Sequence, residues 1–183
     1  MTARSALLLR AVNVSGRNRV PMAELRALLA ERTTLTGIST YIASGNVICD
    51  TPDDDSAACA EVRALIAEAF DVDTPVIHRS HAQLAAALAE NPFPDAASDK
   101  LLHVMFLEGD AAPGAIDALL PRLLPEERIA LVGRDLWIDY GPAGVHSTKL
   151  TKTVLDRGLA VAGTGRNLRT VQMLAALTAE GNG

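Results

Sequence analysis

Aromatic side chains make up only 3% of the 183 residues. So few rings exclude the stacking platforms on which sequence-tolerant single-strand nucleic-acid binders lay out bases. Cysteine is equally scarce, with two residues, which excludes a disulfide scaffold. Cys49, in an expected strand, and Cys59, in an expected helix, read as reduced, small packing residues. No run of 18 apolar residues exists, which excludes a transmembrane helix. The apolar stretch Ala6–Leu9 is too short for an export signal and Arg10 follows at once, so the expected compartment is the cytoplasm. A charged fraction of 21% with mean hydropathy of +0.17 excludes a wholly disordered chain. What remains is a globular protein.

The net charge of −5 is unevenly spread. Residues 1–32 carry six arginines against Glu24 and Glu31, and residues 146–170 carry five cations against Asp156. Residues 50–120 hold fourteen acids against Arg63, Arg79 and Lys100. If the fold brings the two basic ends together, they form a positive patch on an acidic protein. Asp53, Asp54 and Asp55 read as a solvated helix start, where the helix dipole favours acids.

Along the chain, residues 5–12 form an apolar run suited to a buried strand. Pro21 opens a helix marked by Met22, Leu25, Leu28 and Leu29. Residues 38–49, with Ser44-Gly45-Asn46 at their centre, read as a β-hairpin. Val62, Leu65, Ile66 and Ala69 mark a second helix, and residues 74–77 a strand. The order β-α-β-β-α-β is that of the ferredoxin-like motif. Ser80 and Gln83 have capping-box spacing and open a third helix, which Asn91-Pro92-Phe93-Pro94 ends. The second half reads as strand 101–107, helix 113–120, a hairpin across Gly133-Arg134 and closing helices at 148–157 and 167–179. It looks like an incomplete copy of the first. The expected fold is α+β: a ferredoxin-like subdomain (1–79), a connecting helix and loop (80–100), and a second, related α+β subdomain (101–183).

In this topology the loop after the first strand and the turn of the first hairpin share one end of the sheet. That end gathers Arg10, Asn13, Gly16, Arg17 and Asn18 from the loop, and Ser44, Gly45 and Asn46 from the turn. The N-terminus of the first helix points there as well. Guanidinium groups, amides and free backbone N–H groups suit an anion. Arg10, at the rim of an apolar strand, reads as a ligand contact, with an internal ion pair to Glu24 or Asp50 as the competing reading. Gly163-Thr164-Gly165-Arg166-Asn167 is neither a Rossmann fingerprint nor a P-loop. It reads as a helix-opening loop whose Arg166 could touch a phosphate. Ser147 or Thr148 reads as an N-cap. His78-Arg79-Ser80-His81 lacks the partners of a metal set, and His103 reads as a core histidine.

Leu9-Arg10-Ala11-Val12-Asn13-Val14-Ser15-Gly16, Val20-Pro21-Met22-Ala23-Glu24-Leu25 and Thr40-Tyr41-Ile42-Ala43-Ser44-Gly45-Asn46-Val47 resemble blocks of the bacterial family called domain of unknown function 1697. Asn91-Pro92-Phe93-Pro94, Ser147-Thr148-Lys149-Leu150 and Thr164-Gly165-Arg166-Asn167 are similar to further blocks in the same order. The family pattern has glycine at position 15 and an aromatic at position 168. The resemblance implies an α+β fold with a ferredoxin-like N-terminal part and no named reaction. It also draws attention to polar blocks holding Arg10, Asn13, Ser44, Gly45, Asn46, Lys149, Arg166 and Asn167. The expected partner is an anionic small molecule or a nucleic acid, bound through Arg10, Arg17, Lys149 and Arg166, with no membrane, cofactor or metal. The alternatives are an enzyme acting on a phosphorylated or carboxylated metabolite, with Lys149 as acid/base, and a protein–protein module.

Overall fold

The computed structural model describes residues 2–179. The chain is mixed α+β, with two four-stranded antiparallel sheets and six α-helices among the described residues. It divides into two compact units: the first runs to Ala85 and takes in the segment from Met173, and the second is Ala86–Gln172. The boundary therefore falls within the third helix, and the last helix is shared between the units.

The first unit runs β1 (Arg4–Leu9), α1 (Met22–Arg32), β2 (Ser39–Tyr41), β3 (Asn46–Asp50), α2 (Asp55–Phe70) and β4 (Val76–Ser80). Its sheet order is β2-β3-β1-β4. Leu7, Leu9, Val47 and Cys49 share a core with Leu25 and Leu29 of α1 and Val62, Leu65 and Ile66 of α2. Ala6, Leu8, Ile48 and Ile77 on the other face are buried as well. Burial on both faces explains why β1 reads as a continuous apolar run without alternation. Asp54 caps α2, accepting from the Ala57 N–H at 2.9 Å, and Asp71 closes it in the left-handed conformation. Cys49 is a buried free thiol and Cys59 a half-buried one.

Helix α3 (His81–Ala89) opens with the expected capping box. The Gln83 side chain accepts from the Ser80 N–H at 2.9 Å, and the Ser80 hydroxyl accepts from the Gln83 N–H at 3.2 Å.

The second unit runs β5 (Leu102–Leu107), α4 (Ala115–Leu119) with a following 3-10 turn, β6 (Arg128–Val132), β7 (Asp135–Asp139), α5 (Lys152–Leu159) and β8 (Gly163–Asn167), and α6 (Leu168–Thr178) begins from it. Its sheet order is β6-β7-β5-β8. Phe93 of the Asn-Pro-Phe-Pro block is buried, and the Arg128 guanidinium lies 4.6 Å from its ring centroid while pairing with Asp139 at 2.7 Å.

Two expectations are corrected here. Residues 163–167 are not a helix-opening loop but strand β8, paired with β5 from His103↔Asn167 to Leu107↔Gly163. The second half is therefore a complete β-α-β-β-α-β sequence. Gly163 belongs in a strand because a Cβ there would lie 2.8 Å from Leu107 Cδ2 and 2.9 Å from Met105 Cε. Helix α5 starts at Lys152, and its N-cap is Thr151 rather than Ser147 or Thr148. Thr148 instead forms a local turn, accepting from the Leu150 N–H at 3.0 Å.

Candidate functional site

The end of the first sheet where β1 stops carries the chemistry. Antiparallel pairing sets Leu8 opposite Asn46, and the Leu9 N–H donates to Gly45 O at 2.8 Å. The loop after β1 and the β2–β3 turn thus meet as the topology requires. The backbone of Arg10 is clasped by Thr74, whose hydroxyl lies 3.0 Å from its N and donates to its carbonyl at 2.7 Å. Asp50 stands at the far end of β3, opposite Arg4, and its carboxylate accepts from the Thr36 hydroxyl at 2.8 Å; it is not the partner of Arg10.

Residues 13–18 form a miniature hairpin. The Asn13 N–H donates to Asn18 O and the Arg17 N–H to Val14 O, each at 2.9 Å. Ser15 (φ 50°) and Gly16 (φ 76°) form its turn, and positive φ at both central residues is the type I′ geometry that matches strand twist. The Asn13 side chain fastens this hairpin to its surroundings. Its Oδ1 accepts from the Val20 N–H at 2.9 Å, and its Nδ2 donates to Val20 O at 2.9 Å and Ala43 O at 2.7 Å. Asn18 donates to Ala11 O at 2.9 Å. In the facing turn, buried Asn46 donates to Tyr41 O at 3.0 Å and to the half-buried Ser44 hydroxyl at 3.1 Å. Gly45, at φ 82°, sits where a Cβ would come within 2.7 Å of both Leu9 and Val12.

Seven non-glycine residues have positive φ among the described residues. Asp71 and Ala160 are helix C-caps. The other five, Ala11, Asn13, Ser15, Asn18 and Ile42, all lie on this rim. Asn tolerates the left-handed region; Ala, Ser and above all β-branched Ile do not. Strained backbone gathered at one place is the pattern of functional sites.

Between the loop and β2 lies a groove of about 520 Å³. Asn13, Arg19, Val20, Pro21 and Met22 form one wall, Thr40, Ile42 and Ala43 the other, and Arg26 reaches in from α1. Arg26 donates to the Thr40 hydroxyl at 2.5 Å. No carboxylate and no aromatic ring lines the groove among the described residues. Arg17, Arg19 and Arg26 are exposed, as are Val14 at 54% and Ile42 at 50%.

The matching end of the second unit shows what is special here. There the Leu107 N–H donates to Arg134 O at 2.9 Å, as Leu9 does to Gly45. Glu108 follows β5 where Arg10 follows β1, and Arg134 is paired with Asp110 at 2.7 Å. Seven residues link β5 to α4, against twelve between β1 and α1. The same topology carries a short loop with two acids in one unit and a long basic one in the other. A larger cleft of about 650 Å³ lies at the opposite end of the first sheet, lined by Asp50, Asp53, Asp54 and Glu61; of these Asp54 caps α2 and Asp50 accepts from Thr36.

The structure thus gathers Arg10, Asn13, Gly16, Arg17, Asn18, Ser44, Gly45 and Asn46 at one end of one sheet. Lys149, Arg166 and Asn167 belong to the other unit. Lys149 is exposed in a turn. Arg166 is 6% exposed, donates to the Thr164 hydroxyl at 2.7 Å and to Gly165 O at 2.8 Å, and has its pKa lowered to about 10 by burial. Asn167 caps α6, accepting from the Thr170 N–H at 2.9 Å. Arg19, Arg26, Thr40 and Ile42 were not singled out by sequence. An arginine on an exposed helix face reads as solvated, and a left-handed isoleucine leaves no sequence signal.

The family model described as "Protein of unknown function (DUF1697)" matches residues 1–137. No curated protein matches the chain. Among solved structures, the conserved bacterial protein SP0830 from Streptococcus pneumoniae is similar, with 22% identity, 98% of this chain and 100% of that chain covered, and a TM-score of 0.74. That likeness concerns the fold.

Proposed function

The chain belongs to the DUF1697 family, whose description assigns no reaction, and from that premise we propose that it binds an anionic ligand, a nucleotide or a nucleic-acid backbone, at the basic rim of its first unit. We also infer that each unit is ferredoxin-like in arrangement and that the protein works in the cytoplasm. The observation that carries the functional reading is the groove with Arg19 and Arg26 in its lining and, among the described residues, no carboxylate in that lining. Arg10 and Arg17 extend the positive field along the same loop. Asn13, Asn18 and Asn46 act one step back, by holding the two loops in register. Guanidinium forks match phosphate and carboxylate oxygens in pairs.

The test is a thermal-shift panel of phosphate, nucleotides and oligonucleotides on the native chain and on an Arg19→Gln/Arg26→Gln variant. A ligand present at a hundred times its Kd adds about 2.7 kcal/mol, worth roughly 2–4 °C per kcal/mol for a chain of this size. The reading expects at least one anion to raise the native Tm by several degrees and to leave the variant unmoved. Equal shifts in both proteins, or no shift with any anion, contradict it.

A further inference from the structure

Arg19 and Arg26 line the groove, Arg17 sits on the miniature hairpin, and all three are exposed. An exposed guanidinium holds a lone phosphate weakly, because water and salt compete for both. A row of phosphates at fixed spacing meets several such cations at once and releases condensed counterions as it does so. Among the described residues the groove lining also holds no ring on which an unstacked base could lie, and that stacking is what single-strand binders rely on. A duplex needs no such platform, since its bases are already stacked. Residues 13–18 form a miniature hairpin closed by one bridge, Val14↔Arg17, and Arg19 follows it, sharing the groove lining with Arg26. Residues 50–120, with fourteen acids, repel a polyanion. We propose that the ligand is the phosphate backbone of duplex nucleic acid. This rests on the anion-binding reading above and narrows it.

The experiment is fluorescence anisotropy with a fluorescein-labelled 16-base-pair DNA duplex, one of its strands alone, and ATP as competitor, from about 20 to 200 mM NaCl. The duplex should bind tightest, with log K falling against log salt at a slope of roughly −3, near −0.9 per phosphate neutralised. Arg17→Gln and Arg19→Gln should each flatten that slope by about 0.9 and weaken binding several-fold. Both lie at exposed loop positions, so an unchanged Tm confirms that folding is intact. Tighter binding of the single strand overturns the duplex assignment. ATP outcompeting the duplex, with a slope shallower than about −1, also overturns it but leaves the anion reading standing. Failure of all three probes to bind removes both.

Discussion

Gly16 and Gly45 both hold positive φ on the same rim, yet a side chain at each would meet different surroundings. A Cβ at Gly16 meets nothing within 4 Å, whereas one at Gly45 strikes Leu9 and Val12 at 2.7 Å. Gly16→Ala should therefore cost only the left-handed penalty, about 1 kcal/mol. Gly45→Ala adds overpacking and should cost roughly 2–4 kcal/mol. Urea denaturation of the two variants measures the difference, and equal losses would mean that the turn does not press on β1. Ile42 supplies the converse case. Its side chain is half exposed and its φ is 49°. Ile42→Gly should leave stability unchanged or raise it by up to about 1 kcal/mol, where the same change at a buried isoleucine costs several. A loss above 2 kcal/mol would show that Ile42 is held by packing and not against strain. Little of this was legible in the chain. Asn13 and Asn46 stood out as polar loop residues, but an asparagine that bonds loop carbonyls and one that bonds a ligand look alike in sequence. Gly45 was visible as a turn residue; its contact with Leu9 is a matter of register.

At the scale of elements, the local signals that proved readable were those with a one-turn grammar. The Ser80–Gln83 capping box and the Asp54 cap formed as their spacing implies. Asp54→Ala should cost about 1 kcal/mol and fray the start of α2, measurable as faster amide exchange over residues 55–58; unchanged exchange would assign the cap elsewhere. Strand β8 was hidden because Gly-Thr-Gly is turn composition. Its strand identity comes from β5, whose Met105 and Leu107 leave no room for a side chain at Gly163, and those residues are far away in the sequence. The start of α5, expected at 148 and found at Lys152, was misplaced because Thr148 and Thr151 offer the same hydroxyl; only Thr151 accepts from a helical N–H.

For the whole molecule, the two units repeat one order of elements and one order of strands, and the loop from first strand to first helix is long and basic in one and short in the other. Stability should carry an acid limb set by half-buried histidines. Burial lowers the pKa of His78, although Asp55, 3.1 Å from its Nδ1, opposes the shift. Burial likewise lowers that of His103, whose Nε2 lies 3.1 Å from Lys100 O. A histidine whose folded pKa lies below its unfolded value near 6.5 contributes fully above that pH, and its contribution is lost as pH falls toward the folded value. Tm should therefore drop between pH 7.5 and pH 5. His78→Gln with His103→Gln should flatten that drop, and an unflattened drop would assign it to the carboxylates.

The central claim is that one end of one sheet is the binding surface, and amide chemical-shift mapping by NMR reads it residue by residue. In separate titrations of the labelled protein with ATP and with a short DNA duplex, at least one should shift the amides of residues 13–20 and 42–46. The equivalent end of the second unit, residues 108–114 and 133–134, should stay still. Shifts confined to the second unit, or a rim unmoved by both ligands, would contradict the account.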